Sequence, residues 1–335
     1  MKRHAITIIS AILSILLLTY VTSSKKVLGP PEELGSITLF HKATTAQKHD
    51  IIFLGNSVLR DAINMELFQK ITEMKAHKLN QGGSYTTWWY LAIKNYIVKL
   101  KNKPKYLAIN FRETYLTDPK IFVESVFRKN INTLRNTEEP LVDQLTYGNS
   151  QAYIDSLLRK YWVPYGQSFR AKTRFKESIK RLNDKIFSLS PNTTKYAINN
   201  LFIAENMNKS FLNKKTELLL PQNSEARKDF KNRCQKSYLP HIIKLCEDAG
   251  INLIFVRNKT MKQAAGQLDS DSTREYFSNF RQYIAGFSHV HFFDLSELKE
   301  IKLKHFPYDD HINPEGSKIL TKDLAHKFLN LINNI

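Results

Sequence analysis

Five short strand-like runs, most of them apolar, separated by stretches whose apolar residues recur with helical spacing, constrain this chain more than any other feature. The runs are Ile-Ile-Phe-Leu at 51–54, Ala-His-Lys-Leu at 76–79, Tyr-Leu-Ala-Ile-Asn at 106–110, Ile-Asn-Leu-Ile-Phe-Val at 251–256 and Val-His-Phe-Phe-Asp-Leu at 290–295. Each has the length of one buried strand. Helical patterns at 64–74, 86–100, 225–249, 272–286 and 314–332 lie between or after them. Strands alternating with helices predict a parallel sheet covered on both faces. With right-handed crossovers, five such strands make a flavodoxin-like three-layer α/β sandwich of strand order 2-1-3-4-5. That order carries the ends of strands one and three, and the turn after strand five, to one end of the sheet.

The chemistry-bearing residues fall at those strand ends. The first run stops at Gly55-Asn56-Ser57, and Val58, Leu59 and Ile63 then open a helical pattern. A serine there presents its hydroxyl at the carboxyl end of the sheet. The amides of a helix start lie beside it and suit a developing oxyanion. A plain turn with a serine cap is the simpler reading of the same residues. A hydroxyl nucleophile needs a base, and His311 stands in Tyr308-Asp309-Asp310-His311-Ile312-Asn313-Pro314-Glu315-Gly316. Asn313 and Pro314 read as the cap and first residue of the last helix. Asp309 and Asp310 are the candidate carboxylates to orient the imidazole, Asp309 first.

These two blocks resemble those of the SGNH/GDSL hydrolase superfamily. Its first block is a Gly-x-Ser after the first strand, here Gly55-Asn56-Ser57. Its last is an Asp and a His before the C-terminal helix, often continuing His-x-Asn-x-x-Gly, here His311 to Gly316. The resemblance covers scattered blocks over residues 50–335. It departs where the family usually has Asp three residues before the His, because position 308 is Tyr. The resemblance implies an oxyanion hole made by the Ser57 amide, an amide of Gly82 or Gly83 after strand two, and the side chain of Asn110 after strand three. Arg112 and Arg257, each just past a strand, are candidate substrate contacts, with Lys259 beside the latter. Trp88 and Trp89 read as core residues at helical spacing, with sugar stacking as the other reading.

The rest of the chain bears on location and partners. Met1-Lys-Arg-His is basic, and residues 5–21 are uncharged and mostly apolar. That length is at the short edge of a membrane span of roughly 17–25 residues. Residues 1–24 are expected to form an uncleaved signal anchor, or alternatively a cleaved signal peptide. The remainder would be exported as a single-pass, membrane-anchored protein. Residues 25–49 read as a tether, broken by Gly29-Pro30-Pro31. Residues 50–335 then form the hydrolase-like domain, interrupted over about 115–222 by a helical insertion. Helices are expected there at 121–134, 151–161, 170–187 and 195–211. Residues 151–230 hold fifteen Lys/Arg against seven Asp/Glu, a solvated helix face or a basic lid over an anionic glycan or lipid headgroup.

The formal charge of +19 and pI near 9.7 call for anionic company. No nucleic-acid-reading motif is present, so nucleic acid is not expected as the partner. Cys234 and Cys246 lie twelve residues apart in one helical pattern. That spacing is too wide for a bridge and wrong for a metal. No cofactor is called for by any motif. The expected function is an extracytoplasmic serine esterase or O-acyltransferase acting on acyl esters of a cell-envelope glycan or polymer. Some members of the superfamily work beside a membrane-bound O-acyltransferase, which the resemblance makes a possible partner. The alternative is a non-catalytic, membrane-anchored envelope assembly or glycan-binding protein that retains the fold.

Overall fold

The structure, a computed structural model, describes residues 17, 47–119, 131, 134, 139–146 and 228–333. All but residue 17 belong to one compact unit formed by 34–146 and 220–335. The expected anchor and nearly all of the tether lie outside the described residues, as do the helices expected at 151–161, 170–187 and 195–211 and almost all of 121–134. Among the described residues no helix is long and apolar enough to cross a membrane.

The sheet is five-stranded, wholly parallel and ordered β2-β1-β3-β4-β5, as the alternation of runs predicts. Its strands are β1 (Ile51–Gly55), β2 (Ala76–Asn80), β3 (Tyr106–Phe111), β4 (Asn252–Arg257) and β5 (Val290–Asp294). β1 and β3 are buried along their whole length, which is why they read as continuous apolar runs rather than alternating ones. Nine α-helices accompany them among the described residues: α1 (Ser57–Ala62), α2 (Met65–Thr72), α3 (Thr86–Ala92), α4 (Pro140–Thr146), α5 (Phe230–Cys234), α6 (Leu239–Ala249), α7 (Met261–Ala264), α8 (Asp271–Ile284) and α9 (Pro314–Asn333).

One sheet face packs Ile51, Phe53, Tyr106, Ala108, Ile254 and Val256 against α1, α2 and α9. Phe53, Phe68 and Phe328 meet there edge to face, with centroids 4.9–6.1 Å apart. The opposite face sets Phe255 and Phe292 against Phe280 of α8, at 5.4 and 5.1 Å. Trp88 and Trp89 are buried in α3, and Trp89 Nε1 donates to Ser84 Oγ. Both are core, and neither offers a sugar-stacking face.

Two helical patterns break where local chemistry intervenes. The helix expected after the serine turn is two helices. Ile63 is extended, and the Asn64 side chain caps α2 by accepting from Leu67 N–H at 2.9 Å. The long pattern over 225–249 is also two, α5 and α6. Pro240 falls in the first turn of α6, where its missing N–H costs nothing, rather than kinking one helix. Gly250, at φ 68°, ends α6. Cys234 and Cys246 are buried and unbonded. Burial pushes their thiols up to about 11 and about 12, as inert core cysteines require.

The end of β1 is the tightest point of the sheet. A Cβ on Gly55 would sit 2.9 Å from Leu59 Cβ and 3.0 Å from the Asn110 carbonyl oxygen. Backbone of β3 and the first turn of α1 therefore both need this position to be glycine. Gly55→Ala is expected to destabilise the fold by about 1–3 kcal/mol, read as a lower denaturation midpoint at unchanged slope.

A second prediction concerns acid. His77 of β2 is held neutral, its pKa lowered to about 4 by burial and then by the neighbouring His49 ring 5.1 Å away. Its unfolded value is about 6.5, so between those values the unfolded chain binds more protons. Stability is full above pH 6.5 and falls as pH drops toward 4. The loss is on the order of 2 kcal/mol after partial solvent screening. Urea unfolding at pH 7 and pH 4.5 should show it, and His77→Leu should remove part of the difference, His49, His241 and His291 being lowered by burial as well.

Candidate active site

Ser57 is the first residue of α1 and His311 lies in the loop before α9, 254 positions away. Ser57 Oγ stands 3.4 Å from His311 Nε2. That is long for a hydrogen bond, but catalytic contacts in unliganded sites commonly tighten on substrate. The other ring nitrogen, Nδ1, is 2.5 Å from Asp61 Oδ2. Asp61 is four residues after Ser57 on the same helix, so the two side chains share one face. The imidazole thus bridges two groups one helical turn apart, and all three side chains are only partly exposed.

The carboxylate on His311 is Asp61, which corrects the expectation of Asp309 or Asp310. Asp310 faces away from the imidazole. It pairs with Arg112 just after β3 and accepts from the Met261 N–H that opens α7, at 2.7 Å. Asp309 is exposed, sits in the left-handed region at φ 45°, and among the described residues pairs with Arg112, at 3.6 Å. The reason is geometric: residues 308–311 turn back on themselves, with His311 N–H donating to the Tyr308 carbonyl at 3.1 Å. The turn aims the adjacent acids at Arg112 and presents His311 to α1. The Tyr308 ring, 57 % exposed, stacks on His311 at 4.7 Å and 26°.

Arg60 grips Asp61 with two nitrogens, at 2.9 and 3.0 Å. This hydrogen bonding is the main reason that Asp61 lies below its usual pKa. Partial burial opposes it and His311 adds to it. Asp61 therefore stays anionic wherever the imidazole would need it.

The residues expected as oxyanion donors lie around the end of β1. The side chain of Asn56 caps α1 by accepting from Val58 N–H at 3.0 Å, and the Ser57 amide, one residue earlier, has no intrahelical acceptor. The Gly82–Gly83 turn is tied to the end of β1. Gln81 N–H and Ser84 Oγ both donate to the Gly55 carbonyl, at 3.1 and 3.0 Å. Gly83, at φ 66°, supplies the positive φ that the turn needs. Asn110 pairs with Gly55 across the β1–β3 ladder and is 1 % exposed. Its Nδ2 makes one long bond to Asn258 Oδ1, at 3.4 Å, and its Oδ1 has no partner among the described residues. A buried carboxamide so sparsely bonded is unusual in a folded interior.

The two arginines expected to touch substrate are otherwise engaged. Arg112 is held by Asp310, lies over the Tyr115 ring at 5.7 Å, and fastens the His311 loop to β3. Burial tends to lower its pKa, but Tyr115, Asp310 and Asp309 together raise it, so it is a permanent cation. Arg257 is buried beneath Asp269 and Asp294, at 2.6 and 3.3 Å, with Phe277 3.8 Å from its guanidinium. It is a structural ion pair. Lys259 donates to the Leu298 carbonyl at 2.8 Å. A cavity of about 310 Å³ opens beyond α7, lined by Arg257 and its partner Asp269 together with Glu113, Thr114, Thr260, Lys262 and Gln263 among others, so Arg257, though ion-paired, still borders open space. Ser57 and His311 do not line it.

Sequence reasoning missed Asp61 and Asn258. Asp61 had a usable signal: a carboxylate at i+4 from the serine in a pattern already read as helical. Asn258 had none, because it meets Asn110 only through strand register. No protein-family model matches the chain, and no curated protein matches it. The functional reading therefore rests on the residues and their geometry.

The two acids should part in their effect on stability. Asp310→Ala strands a mostly buried guanidinium and is expected to cost about 3 kcal/mol. Asp309→Asn should stay within about 0.5 kcal/mol. Chemical denaturation of the two variants checks the ranking.

Proposed function

We propose that this chain is a serine esterase or O-acyltransferase, with Ser57 as nucleophile, His311 as base and Asp61 as the orienting carboxylate. The observation that carries the reading is the imidazole bonded toward a serine on one side and a carboxylate on the other. Ser57 Oγ attacks an acyl carbonyl while His311 Nε2 takes its proton. Asp61 holds Nδ1 and steadies the imidazolium. The carbonyl oxygen, now negative, is met by the Ser57 amide, an amide of the Gly82–Gly83 turn and the Asn110 side chain. The leaving alcohol takes the proton from His311. Water or a sugar hydroxyl then resolves the acyl-serine, giving hydrolysis or transfer from the same intermediate.

The arrangement is similar to that of the SGNH hydrolases in strand order and in the first and last blocks. It departs in drawing its carboxylate from the serine's own helix. The apolar stretch at 5–21 behind a basic start, together with the excess of positive charge, supports a membrane-anchored enzyme outside the cytoplasm. Its substrate would be an acylated anionic envelope glycan or polymer, with a membrane-bound O-acyltransferase as a possible partner. A non-catalytic, glycan-binding role draws on the missing Asp three residues before His311 and on the third block, which reads Ala108-Ile109-Asn110 where the superfamily has Gly-x-Asn. Asp61 bonded to that imidazole answers the first of these grounds.

A fluorophosphonate serine probe tests the reading. Wild type should label, and Ser57→Ala should not label at all. Asp61→Asn should slow labelling by on the order of 10³-fold, with His311→Ala slower still, while Asp309→Asn labels like wild type. A cooperatively folded wild type that does not label would overturn the enzymatic reading in favour of the glycan-binding one.

A further inference from the structure

α1 carries both the proposed nucleophile and its carboxylate, yet it is six residues long. A helix so short cannot hold itself, and its last carbonyls have no intrahelical donors. They are met from two other elements. Lys78, on β2, sends its ammonium to the Arg60 carbonyl at 2.7 Å and the Ile63 carbonyl at 2.8 Å. Ser317 Oγ of α9 donates to the Ala62 carbonyl at 3.2 Å, and Thr321 Oγ1 of α9 accepts from Asn64 N–H at 2.9 Å. Of these three side chains Lys78 alone is charged. A cation at a helix C-terminus also complements the carbonyl dipoles.

We infer that Lys78 is a positioning residue of the proposed Ser57–His311–Asp61 site, clamping the C-terminal end of α1 and setting the field at the Asp61 carboxylate. The inference rests on the hydrolase reading for its catalytic consequence, and on the hydrogen bonds alone for the clamp. Asp61 and Arg60 of α1 both act electrostatically on Lys78. Burial lowers the ammonium below the usual lysine value, Asp61 pulls it back up, and Arg60 lowers it further. The other titratable groups at the site are His311, against Asp61, and Tyr308, against Arg60 and the imidazole. Lys78 thus sets a positive charge against the Asp61 carboxylate from β2. Without it, Asp61 would swing with a frayed turn and one cation would be lost from the neighbourhood of the Asp61–His311 pair.

The test uses the full chain, with Lys78→Met and Lys78→Arg. Two quantities are read: the fluorophosphonate labelling rate of Ser57 against pH, and hydrogen exchange of the amides over 57–63. Lys78→Met should slow labelling on the order of 10- to 100-fold. It should also move the acid limb of the profile to higher pH by roughly half a unit. A merely structural lysine would not move that limb. Lys78→Arg, which keeps the charge and the donors, should recover most of the rate. Exchange should quicken over 57–63 in Lys78→Met while β1 and β3 stay protected. A folded Lys78→Met that labels at the wild-type rate with an unmoved limb would overturn the inference. A wild type that does not label at all would sink the hydrolase reading, and exchange would then judge the clamp. Protection over 57–63 unchanged in Lys78→Met overturns it, and loss confined to that stretch upholds it.

Discussion

One imidazole has to reach two atoms at once, and both stand on a single short helix. Four residues of α-helix rise about 6 Å, a span that one histidine ring with a hydrogen bond at each nitrogen can cover. Ser57 and Asp61 fix the two ends of that span. What remains is to deliver His311 from the far end of the chain in the right orientation, and much of the surrounding structure does so. A Cβ on Gly316 would lie 2.6 Å from Ile312 and 2.8 Å from His305, so the loop can lie flat on α9 only with glycine there. The Asn313 side chain accepts from Gly316 N–H at 2.9 Å and starts α9 at a fixed place. Arg112 and Asp310 fasten the other side of the loop to β3 and α7. The His-x-Asn-x-x-Gly spacing is thus a mechanical unit as much as a chemical one.

The charge of the chain is spent differently at the site than its total suggests. Four cations near this rim of the sheet are committed: Arg60 to Asp61, Arg112 to Asp310, Arg257 to Asp269 and Asp294, Lys78 to the end of α1. Their work is to fix backbone and carboxylates. Attraction of an anionic polymer would fall to the wider excess of Lys and Arg, including the fifteen over 151–230.

The fold was legible because its strands are runs of the right length, apolar throughout in β1 and mostly so in β3 and β4, set between helical patterns. The order of the sheet follows from those runs and the hand of their crossovers. Ser57 and His311 were legible only together, because the strand order brings a serine at the first strand end and a histidine before the last helix to one end of the sheet. Asp61 was hidden by its setting. Beside Arg60, on a helix face, it reads as half of an ordinary surface pair. Asp309 and Asp310 drew attention only because they adjoin His311 in sequence, yet neighbours in a tight turn point different ways. Arg257 reads from its place at a strand end as a substrate contact, and only the fold brings Asp269, Asp294 and Phe277 around it. Helix ends failed where one side chain decides them, as Asn64 does for α2 and Pro240 for α6.

The most direct measurement is a crystal structure of the protein after reaction with a small organophosphorus fluoride. The phosphorus should be bonded to Ser57 Oγ, its free oxygen within hydrogen-bonding distance of the Ser57 amide and Asn110, and His311 Nδ1 should still rest on Asp61. Phosphorus attached to another residue, or an imidazole turned toward Asp309 or Asp310 with Asp61 in solvent, would contradict the relay on which everything else depends.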